Sequence, residues 1–182
     1  MAIEHVVLVN EANQVIGTVP KATVHGTSTP LHRGFSLFVF NAKGEILLQQ
    51  RAWKKLTWPG AWSNSCCGHP ALDESAVQAA IRRARYELGI TLYATVEIAP
   101  YRYRFTCDGI EENEICPLVV AKTNDEPKIN PQEVAATRWI DWETLRIQIQ
   151  GRPGRYSDWC EEEVEVLTRT PAFTAWLRRH SD

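Results

Sequence analysis

Short apolar runs separated by polar residues predict β-strands in the first third of the chain. Residues 6–9 and 15–19 lie on either side of a polar turn. Residues 35–40 and 45–51 flank the four residues NAKG, a pattern typical of a β-hairpin. The segment 58–70 is rich in Trp, Gly, Ser, Asn and Pro and predicts a loop.

The clearest helical pattern lies between Ser75 and Gly89. Ser75 followed three residues later by Gln78 is a capping-box pattern, and Gly89 stands where a glycine commonly ends a helix. Arg83 and Glu87 are four residues apart and share a face beside the apolar stripe. The apolar positions of that stripe, at helical spacing, are Val77, Ala80, Ile81, Ala84 and Leu88.

The rest of the chain predicts interspersed strands and helices. The strands are residues 101–105, 115–122 and 137–140, with an acidic turn at 108–114, and the helices are 142–150, 158–170 and a short one beginning at Pro171. Because several strand pairs look like hairpins, we expect an α+β fold with a mixed central β-sheet flanked by helices. The length of 182 residues fits a single domain spanning residues 1–182.

Composition and charge narrow the function classes. Hydrophobic residues make up 44% of the chain and charged residues 23%, as in ordinary globular domains. The net charge of −2 gives no general reason to expect nucleic-acid or membrane binding, and no apolar run approaches the ~20 residues of a membrane span. Five cysteines, an odd number, and an N-terminus without a basic region argue against secretion, so we expect a cytoplasmic protein.

One stretch joins a loop to the predicted helix and carries both acids and bases. Glu74, Arg83 and Glu87 lie near the same end of the chain path. A carboxylate on a helix beside a basic residue can hold Mg²⁺ while the base contacts a phosphate. Spacing alone favours the simpler interpretation, a surface helix with a Glu–Arg ion pair.

The same stretch resembles the Nudix box, whose pattern is G-x5-E-x7-R-E-U-x-E-E-x-G-U, with U an apolar residue. Arg83 and Tyr86 stand where the box has two of its glutamates, so only Glu87 of the acidic core remains. Nudix hydrolases use that core to hold a divalent metal around a diphosphate and to activate water, so the replacements argue against hydrolysis. The matching positions are Gly68, Glu74, Arg82, Ala84, Glu87, Gly89 and Ile90.

A second group of residues has the chemistry of metal ligands. His25, His32 and His69 are three of the five histidines, and Glu112 and Glu114 would face the same side of a strand. Three imidazoles and two carboxylates suit Mn²⁺, Mg²⁺ or Zn²⁺. Each histidine taken singly is more often a surface or hydrogen-bonded residue, and the sequence spacing does not show that the five converge.

The segment 64–70 places two thiols, Cys66 and Cys67, beside one of these histidines. Such a thiol can act as an acid, a base or a nucleophile, although a free cysteine is more often a buried structural residue. Cys67 is the better candidate because it directly precedes Gly68-His69.

Taken together, these motifs resemble the type 1 isopentenyl diphosphate isomerases, a non-hydrolytic branch of the Nudix superfamily in which the box glutamates are likewise replaced. The resemblance covers roughly residues 4–159. The motifs that carry it are Leu31-His32, Trp58-Pro59-Gly60, Trp62-Ser63-Asn64-Ser65, Cys67-Gly68-His69-Pro70, Arg82-Arg83, Tyr86-Glu87-Leu88-Gly89, Tyr101-Arg102-Tyr103, Glu112-Asn113-Glu114-Ile115-Cys116-Pro117 and residues 136–139.

The resemblance implies an enzyme that interconverts isopentenyl diphosphate and dimethylallyl diphosphate by moving a double bond. One proton is added to the alkene and another is removed from the opposite side, so two acid/base groups are needed. The resemblance assigns these roles to Cys67 and Glu114. Trp159 would stabilise the intermediate carbocation through its ring face, and Tyr103 would hold or polarise the acid group.

The resemblance also implies two divalent metals and a diphosphate site. Mg²⁺ would arrive with the substrate and contact Glu87, and a protein-held ion, Mn²⁺, Mg²⁺ or Zn²⁺, would be bound by His25, His32, His69, Glu112 and Glu114. The diphosphate itself would meet Lys21, Arg51, Lys55 and Arg83. The expected partner is therefore a small isoprenyl diphosphate, without nucleic acid or membrane, and we expect a monomer.

Two other functions stay open at this point. A Nudix hydrolase would release phosphate or a nucleotide monophosphate from a diphosphate. A catalytically inactive Nudix module that binds a partner or ligand would not need Cys67, Tyr103, Glu114 and Trp159 all together.

Overall fold

The computed structural model describes residues 4–180, which form two β-sheets and five helices. No helix in this range is long and apolar enough to cross a membrane. The strands are β1 His5–Val9, β2 Val15–Pro20, β3 His32–Arg33, β4 Phe35–Phe40, β5 Glu45–Arg51, β6 Trp62–Ser63, β7 Cys66–Gly68, β8 Tyr93–Ala99, β9 Arg102–Cys107, β10 Ile110–Ile115, β11 Leu118–Lys122 and β12 Val134–Asp141. The helices are α1 Lys21–Val24, α2 Ala76–Leu88, α3 Trp142–Gly151, α4 Asp158–Arg169 and α5 Pro171–His180.

The larger sheet has helices on both faces. Its strands run in the order β12-β5-β4-β11-β8, with β6 beside β5 and β7 beside β4, and β11 lies parallel to β4. Alternate residues of β4 enter opposite cores: Phe38 and Phe40 pack with α3, α4 and α5, whereas Leu37 and Val39 pack with the alanines of α2. The expected mixed sheet flanked by helices is confirmed.

The smaller sheet has the order β2-β1-β3-β10-β9 and aligns residues that are far apart in the sequence. β10 runs parallel to β3, which places Glu114 opposite His32. On its other edge β10 runs antiparallel to β9, which places Glu114 opposite Tyr103. Three of the predicted site residues therefore lie in one row across three strands.

Helix α2 begins and ends as its sequence predicts, and of the predicted stripe Ala80, Ala84 and Leu88 are fully buried. Ser75 and Gln78 form both hydrogen bonds of the capping box, and Gly89 adopts the left-handed conformation at φ 64°. Ile81, predicted on the core stripe, is exposed, whereas Arg83 and Glu87 are buried. The two charges tolerate burial because Arg83 Nη2 lies 2.6 Å from Glu87 Oε1.

The predicted hairpin of β4 and β5 is only partly formed. The two strands pair at Phe40 and Ile46, and further along β7 and β6 take the neighbouring positions. The segment 58–70 is therefore not entirely loop. Ser65 joins the diverging strands, because its hydroxyl accepts a hydrogen bond from Val39 N at 2.7 Å and donates one to Leu47 O at 2.6 Å.

Two element boundaries predicted for residues 108–122 are wrong. The acidic turn expected at 108–114 is confined to Asp108-Gly109, and β10 begins at Ile110. The single strand expected at 115–122 is two strands in different sheets. Pro117 separates them because it has no N–H to donate to a strand ladder.

Candidate active site

A cavity of about 480 Å³ is lined by residues of both sheets and of α1, α2 and α4. Two predicted site residues do not line it: His32 is fully buried beside Glu114, and Glu87 is buried against Arg83. The predicted site residues on its wall are Lys21, His25, Arg51, Lys55, Cys67, His69, Arg83, Tyr103, Glu112, Glu114 and Trp159.

Histidines and glutamates cluster on one wall of the cavity, which we call the ligand wall (His25, His32, His69, Glu112 and Glu114). One ligand atom from each histidine and one from Glu114 all lie within 4.8 Å of one another. Glu114 Oε1 is 3.0 Å from His69 Nε2 and 3.3 Å from His32 Nε2. Glu112 Oε2 is 3.0 Å from His25 Nε2. The structure thus brings together five residues whose sequence spacing left their convergence open.

Strand register explains why these side chains meet. Glu112 and Glu114 are two residues apart on β10 and both line the cavity. Glu111, between them, instead accepts a hydrogen bond from Thr29 N at 3.0 Å. Its backbone also pairs with Gly26, which brings the adjacent His25 next to β10.

The buried polar atoms of the ligand wall fit a divalent metal. His25 Nε2, His32 Nε2, His69 Nδ1 and Glu112 Oε2 are buried without a well-oriented hydrogen bond, although the first two lie 3.0 to 3.3 Å from a carboxylate oxygen. His32 Nδ1 lies 2.9 Å from Pro30 O, an outer contact that orients the ring. Burial lowers the pKa of His69, which favours the neutral imidazole that metals bind.

The carboxyl group of Glu114 is ionised in this setting. Burial by itself would raise the pKa of Glu114, but hydrogen bonding and charge from His32 and His69 hold it well below its usual range. Ring centroids of the three histidines are 5.1 to 5.7 Å apart. Imidazole nitrogens and a carboxylate at this spacing are a mixed donor set for Mn²⁺, Mg²⁺ or Zn²⁺.

The thiol of Cys67 also lines the cavity, whereas the adjacent Cys66 points into the core. Cys66 is fully buried in the apolar core beneath α2, because successive residues of β7 face opposite sides. Cys67 Sγ lies 3.2 Å from Asn64 Oδ1 and 3.5 Å from Ser36 Oγ. Burial, followed by the charge of Glu163, raises the pKa of Cys67 to about 12, so the group is a thiol rather than a thiolate.

Aromatic rings adjoin the thiol, and together with Cys67 and Asn64 they form what we call the thiol wall. Trp159 Nε1 donates a hydrogen bond to the same Asn64 Oδ1 at 3.2 Å. The ring of Trp159 stacks on Tyr103 with centroids 6.1 Å apart and meets the edge of Trp58 at 5.0 Å. Asn64 was quoted in the sequence only as part of a motif; its position between Cys67 and Trp159 depends on the fold.

The basic residues of the cavity form ion pairs with glutamates or hydrogen bonds with a backbone carbonyl. Lys21 lies 2.9 Å from Glu4, and Arg83 lies 3.2 Å from Glu4. Glu133 pairs with Lys55 and lies 3.3 Å from Arg83. Arg51 instead donates to the carbonyl oxygen of Thr57 at 2.8 Å and lies over the ring of Trp159. Sequence reasoning missed Glu4 and Glu133, which lie outside the motifs it used.

Glu87 is separate from the ligand wall. It accepts hydrogen bonds from Arg83 Nε at 3.0 Å and from Arg83 Nη2 at 2.6 Å. Arg83 thus occupies the position of a box glutamate and neutralises the one acid that remains of the acidic core.

Comparisons with known proteins agree in both sequence and fold. A family model described as NUDIX domain matches residues 30–160. An isopentenyl-diphosphate Delta-isomerase of Saccharopolyspora erythraea is 46% identical over 174 residues, which cover 94% of this chain and 90% of that protein. A protein of the same name from Clavibacter sepedonicus is 46% identical over 178 residues, which cover 96% of this chain and 93% of that protein. One from Escherichia coli O1:K1 / APEC is 42% identical over 179 residues, which cover 96% of this chain and 98% of that protein.

Solved structures resemble the chain in fold. DR0079 from Deinococcus radiodurans superposes with a TM-score of 0.70 at 22% identity, covering 90% of this chain and 98% of that one. A MutT protein from Methanosarcina mazei Go1 gives a TM-score of 0.56 at 22% identity, covering 78% and 97%. At this identity the likeness concerns the arrangement of strands and helices.

Proposed function

We propose a residue-level mechanism for this chain, which belongs to the isopentenyl-diphosphate Delta-isomerase family within the NUDIX-domain proteins. The enzyme interconverts isopentenyl diphosphate and dimethylallyl diphosphate. The reaction adds a proton to one alkene carbon and removes a proton from another, so it needs an acid and a base at the substrate. A cavity that gathers a thiol, a carboxylate and aromatic rings fits that requirement.

Cys67 and Glu114 are the proposed acid/base pair. Both line the same cavity, one on the thiol wall and one on the ligand wall, and we propose that the alkene binds between them. This arrangement is the observation that carries the proposal. Because the enzyme is reversible, each group gives a proton in one direction and takes one in the other.

Trp159 and Tyr103 are proposed to stabilise and shield the carbocation formed between the two proton transfers. Both rings are buried apart from the surface they present to the cavity, with exposures of 3% and 8%. An aromatic face attracts a cation by roughly 0.5–2 kcal/mol and offers no nucleophile to trap it. The rings also keep water away from the reacting carbons.

His25, His32, His69, Glu112 and Glu114 are proposed to hold one divalent metal, which would be Mn²⁺, Mg²⁺ or Zn²⁺. The buried atoms of these side chains that lack a well-oriented hydrogen bond support the assignment. When bound, such an ion supplies positive charge that orients Glu114 and tunes its basicity. Glu87 is proposed to contact a Mg²⁺ that accompanies the substrate through Oε2, since both hydrogen bonds from Arg83 go to Oε1.

The diphosphate is proposed to bind Lys21, Arg51, Lys55 and Arg83. Three of these cations are paired with Glu4 or Glu133 in the free protein, so the diphosphate would exchange with carboxylates at sites already arranged for oxygen anions. Arg83 keeps its pair with Glu87 in this proposal and offers its remaining N–H groups to the phosphate.

The deciding experiment is an isomerase assay with purified protein and Mg²⁺, with and without EDTA. We expect conversion of isopentenyl diphosphate to its allylic isomer, lost in EDTA and restored by added metal, without release of phosphate. Phosphate release from a diphosphate without isomerisation would instead indicate hydrolysis. Binding without any turnover would indicate an inactive module.

We further propose that the enzyme works as a monomer in the cytoplasm. The monomer is what the family resemblance implies, and the five free thiols fit a reducing compartment. Light scattering after gel filtration tests the monomer, and a dimeric mass would contradict it. Cell fractionation tests the location.

A further inference from the structure

Glu163 is a buried acid that the proposed mechanism does not use. It lies on α4, one turn after Trp159, and its side chain is fully buried. Its Oε2 atom makes no hydrogen bond. A fully buried carboxyl with an unpartnered oxygen is costly to a fold, and in an enzyme it points to a function.

Ser36 connects Glu163 to the thiol. Ser36 Oγ lies 2.5 Å from Glu163 Oε1 and 3.5 Å from the sulfur atoms of both Cys67 and Cys116. When Glu163 is protonated, its O–H can donate to Ser36 while the serine hydroxyl donates to Cys67. Ser36 is 1% exposed, so the connection is closed to bulk water. A hydroxyl can accept a proton on one side while it gives one on the other, which makes this a continuous path from carboxyl to sulfur.

We propose that Glu163 and Ser36 form a proton relay behind Cys67, which carries a proton to the sulfur as Cys67 gives its own to the substrate. The inference rests on the acid/base role proposed for Cys67. Neither Glu163 nor Ser36 lines the cavity, so both are positioning residues that act through the thiol.

In the direction in which Cys67 is the acid, each proton that one group loses is taken up by the next group. The S–H bond of Cys67 breaks and its proton forms a C–H bond on the alkene, leaving a thiolate next to a carbocation. The O–H bond of Ser36 then breaks as its proton forms a new S–H bond, and the O–H bond of Glu163 breaks as its proton restores the serine hydroxyl. The negative charge ends on Glu163, and no thiolate remains that could add to the cation.

The relay resets without a further reactant other than water. After the product leaves, the Glu163 carboxylate regains its proton through Ser36 from Cys67, and Cys67 is refilled by water in the open cavity. Glu114 returns to water the proton it took from the substrate, so no net proton is consumed. The reverse reaction runs the same steps backwards.

The electrostatic surroundings of Glu163 support its function as a proton donor. Burial raises the pKa of Glu163 well above its usual range, the hydrogen bond from Ser36 opposes this, and the charges of Glu114 and Glu162 add to the rise. The raised pKa favours the protonated carboxyl, which is the form from which the proposed relay starts. The other ionisable groups around it are thiols and a phenol, namely Cys67, Cys116, Cys160 and Tyr101.

The test compares Glu163→Gln, Ser36→Ala and the double variant in steady-state isomerase kinetics. Glutamine keeps the volume and the accepting oxygen but has no acidic proton. Glu165→Gln is the matched control, because Glu165 lies on the same helix but is exposed and pairs with Arg169. Thermal melts verify that each variant is folded.

We expect kcat to fall about tenfold in each single variant with KM unchanged, since neither residue touches the substrate. In the double variant kcat should fall no further, because both changes interrupt the same path. An unchanged kcat in folded Glu163→Gln, or losses that multiply in the double variant, would overturn the relay. If the wild-type protein itself does not isomerise the substrate, the proposed function fails, which is a different result.

Discussion

The two walls of the cavity differ in how fully their polar atoms are hydrogen-bonded within the protein. On the ligand wall, three imidazole nitrogens and one carboxylate oxygen are buried without well-oriented hydrogen bonds. On the thiol wall, Cys67 and Trp159 both bond to Asn64 Oδ1, and the rings pack on one another. We therefore expect an ion to bind at the ligand wall, whereas contacts within the protein already assemble the thiol wall. Substitutions on either wall should reduce activity, but only those on the ligand wall should also reduce metal binding.

The largest effect is expected for Glu114→Gln. Glu114 belongs to the ligand wall and is also the proposed acid/base group, so the variant should lose both. Turnover should fall ~10⁴-fold, about 5.5 kcal/mol of transition-state stabilisation, and bound metal should fall with it. Kinetics together with metal analysis of the purified protein measure the two losses. Full metal content with normal turnover would contradict the shared role.

Cys67→Ala should come next, with turnover reduced ~10³-fold or about 4 kcal/mol. In contrast to the Glu114 variant, its metal content should equal that of the wild type, because Cys67 is not on the ligand wall. Cys66→Ala is the matched control, since Cys66 is a thiol on the same strand that faces the core. If Cys66→Ala loses turnover and Cys67→Ala keeps it, the thiol has been assigned to the wrong residue.

The contents of the two walls were predictable from the sequence to different degrees. The alternation of Glu112 and Glu114 is a local signal, but the grouping of the histidines with these acids and the roles of Cys67, Tyr103 and Trp159 came from the family resemblance. The contact of His32 with Glu114 depends on the parallel register of β3 and β10, which no local pattern encodes. Ser36 and Glu163, 127 positions apart, meet only because α4 packs on the larger sheet.

The main elements were predictable because their signals are local. The cap at Ser75 and the stop at Gly89 set the ends of α2. Strand β8 was missed although Ala94, Val96 and Ile98 alternate with polar residues; most of the strand is exposed or half-buried. The single strand expected at 115–122 failed because apolar runs continue through Pro117 while the chain changes sheet.

Metal removal should distinguish the two walls through the melting temperature as well as through activity. An ion that binds only the folded protein stabilises it by ~2.7 kcal/mol at one hundred times its dissociation constant. We therefore expect the melting temperature to rise when metal is added to EDTA-treated wild type or Cys67→Ala. The rise should be absent in His25→Ala, which lacks one ligand. Equal shifts in all three proteins would place the ion elsewhere.

The smallest effect should come from Trp159→Phe on the thiol wall. Phenylalanine keeps an aromatic face but attracts a cation less strongly and loses the hydrogen bond to Asn64, so kcat should fall about tenfold, or roughly 1.4 kcal/mol. Trp58→Phe is the control: Trp58 packs against Trp159 but does not line the cavity, and its indole bonds to Asp158 at 2.7 Å. It should lower the melting temperature with little change in kcat. Equal losses of kcat in both variants would mean that the rings act through packing rather than through contact with the cation.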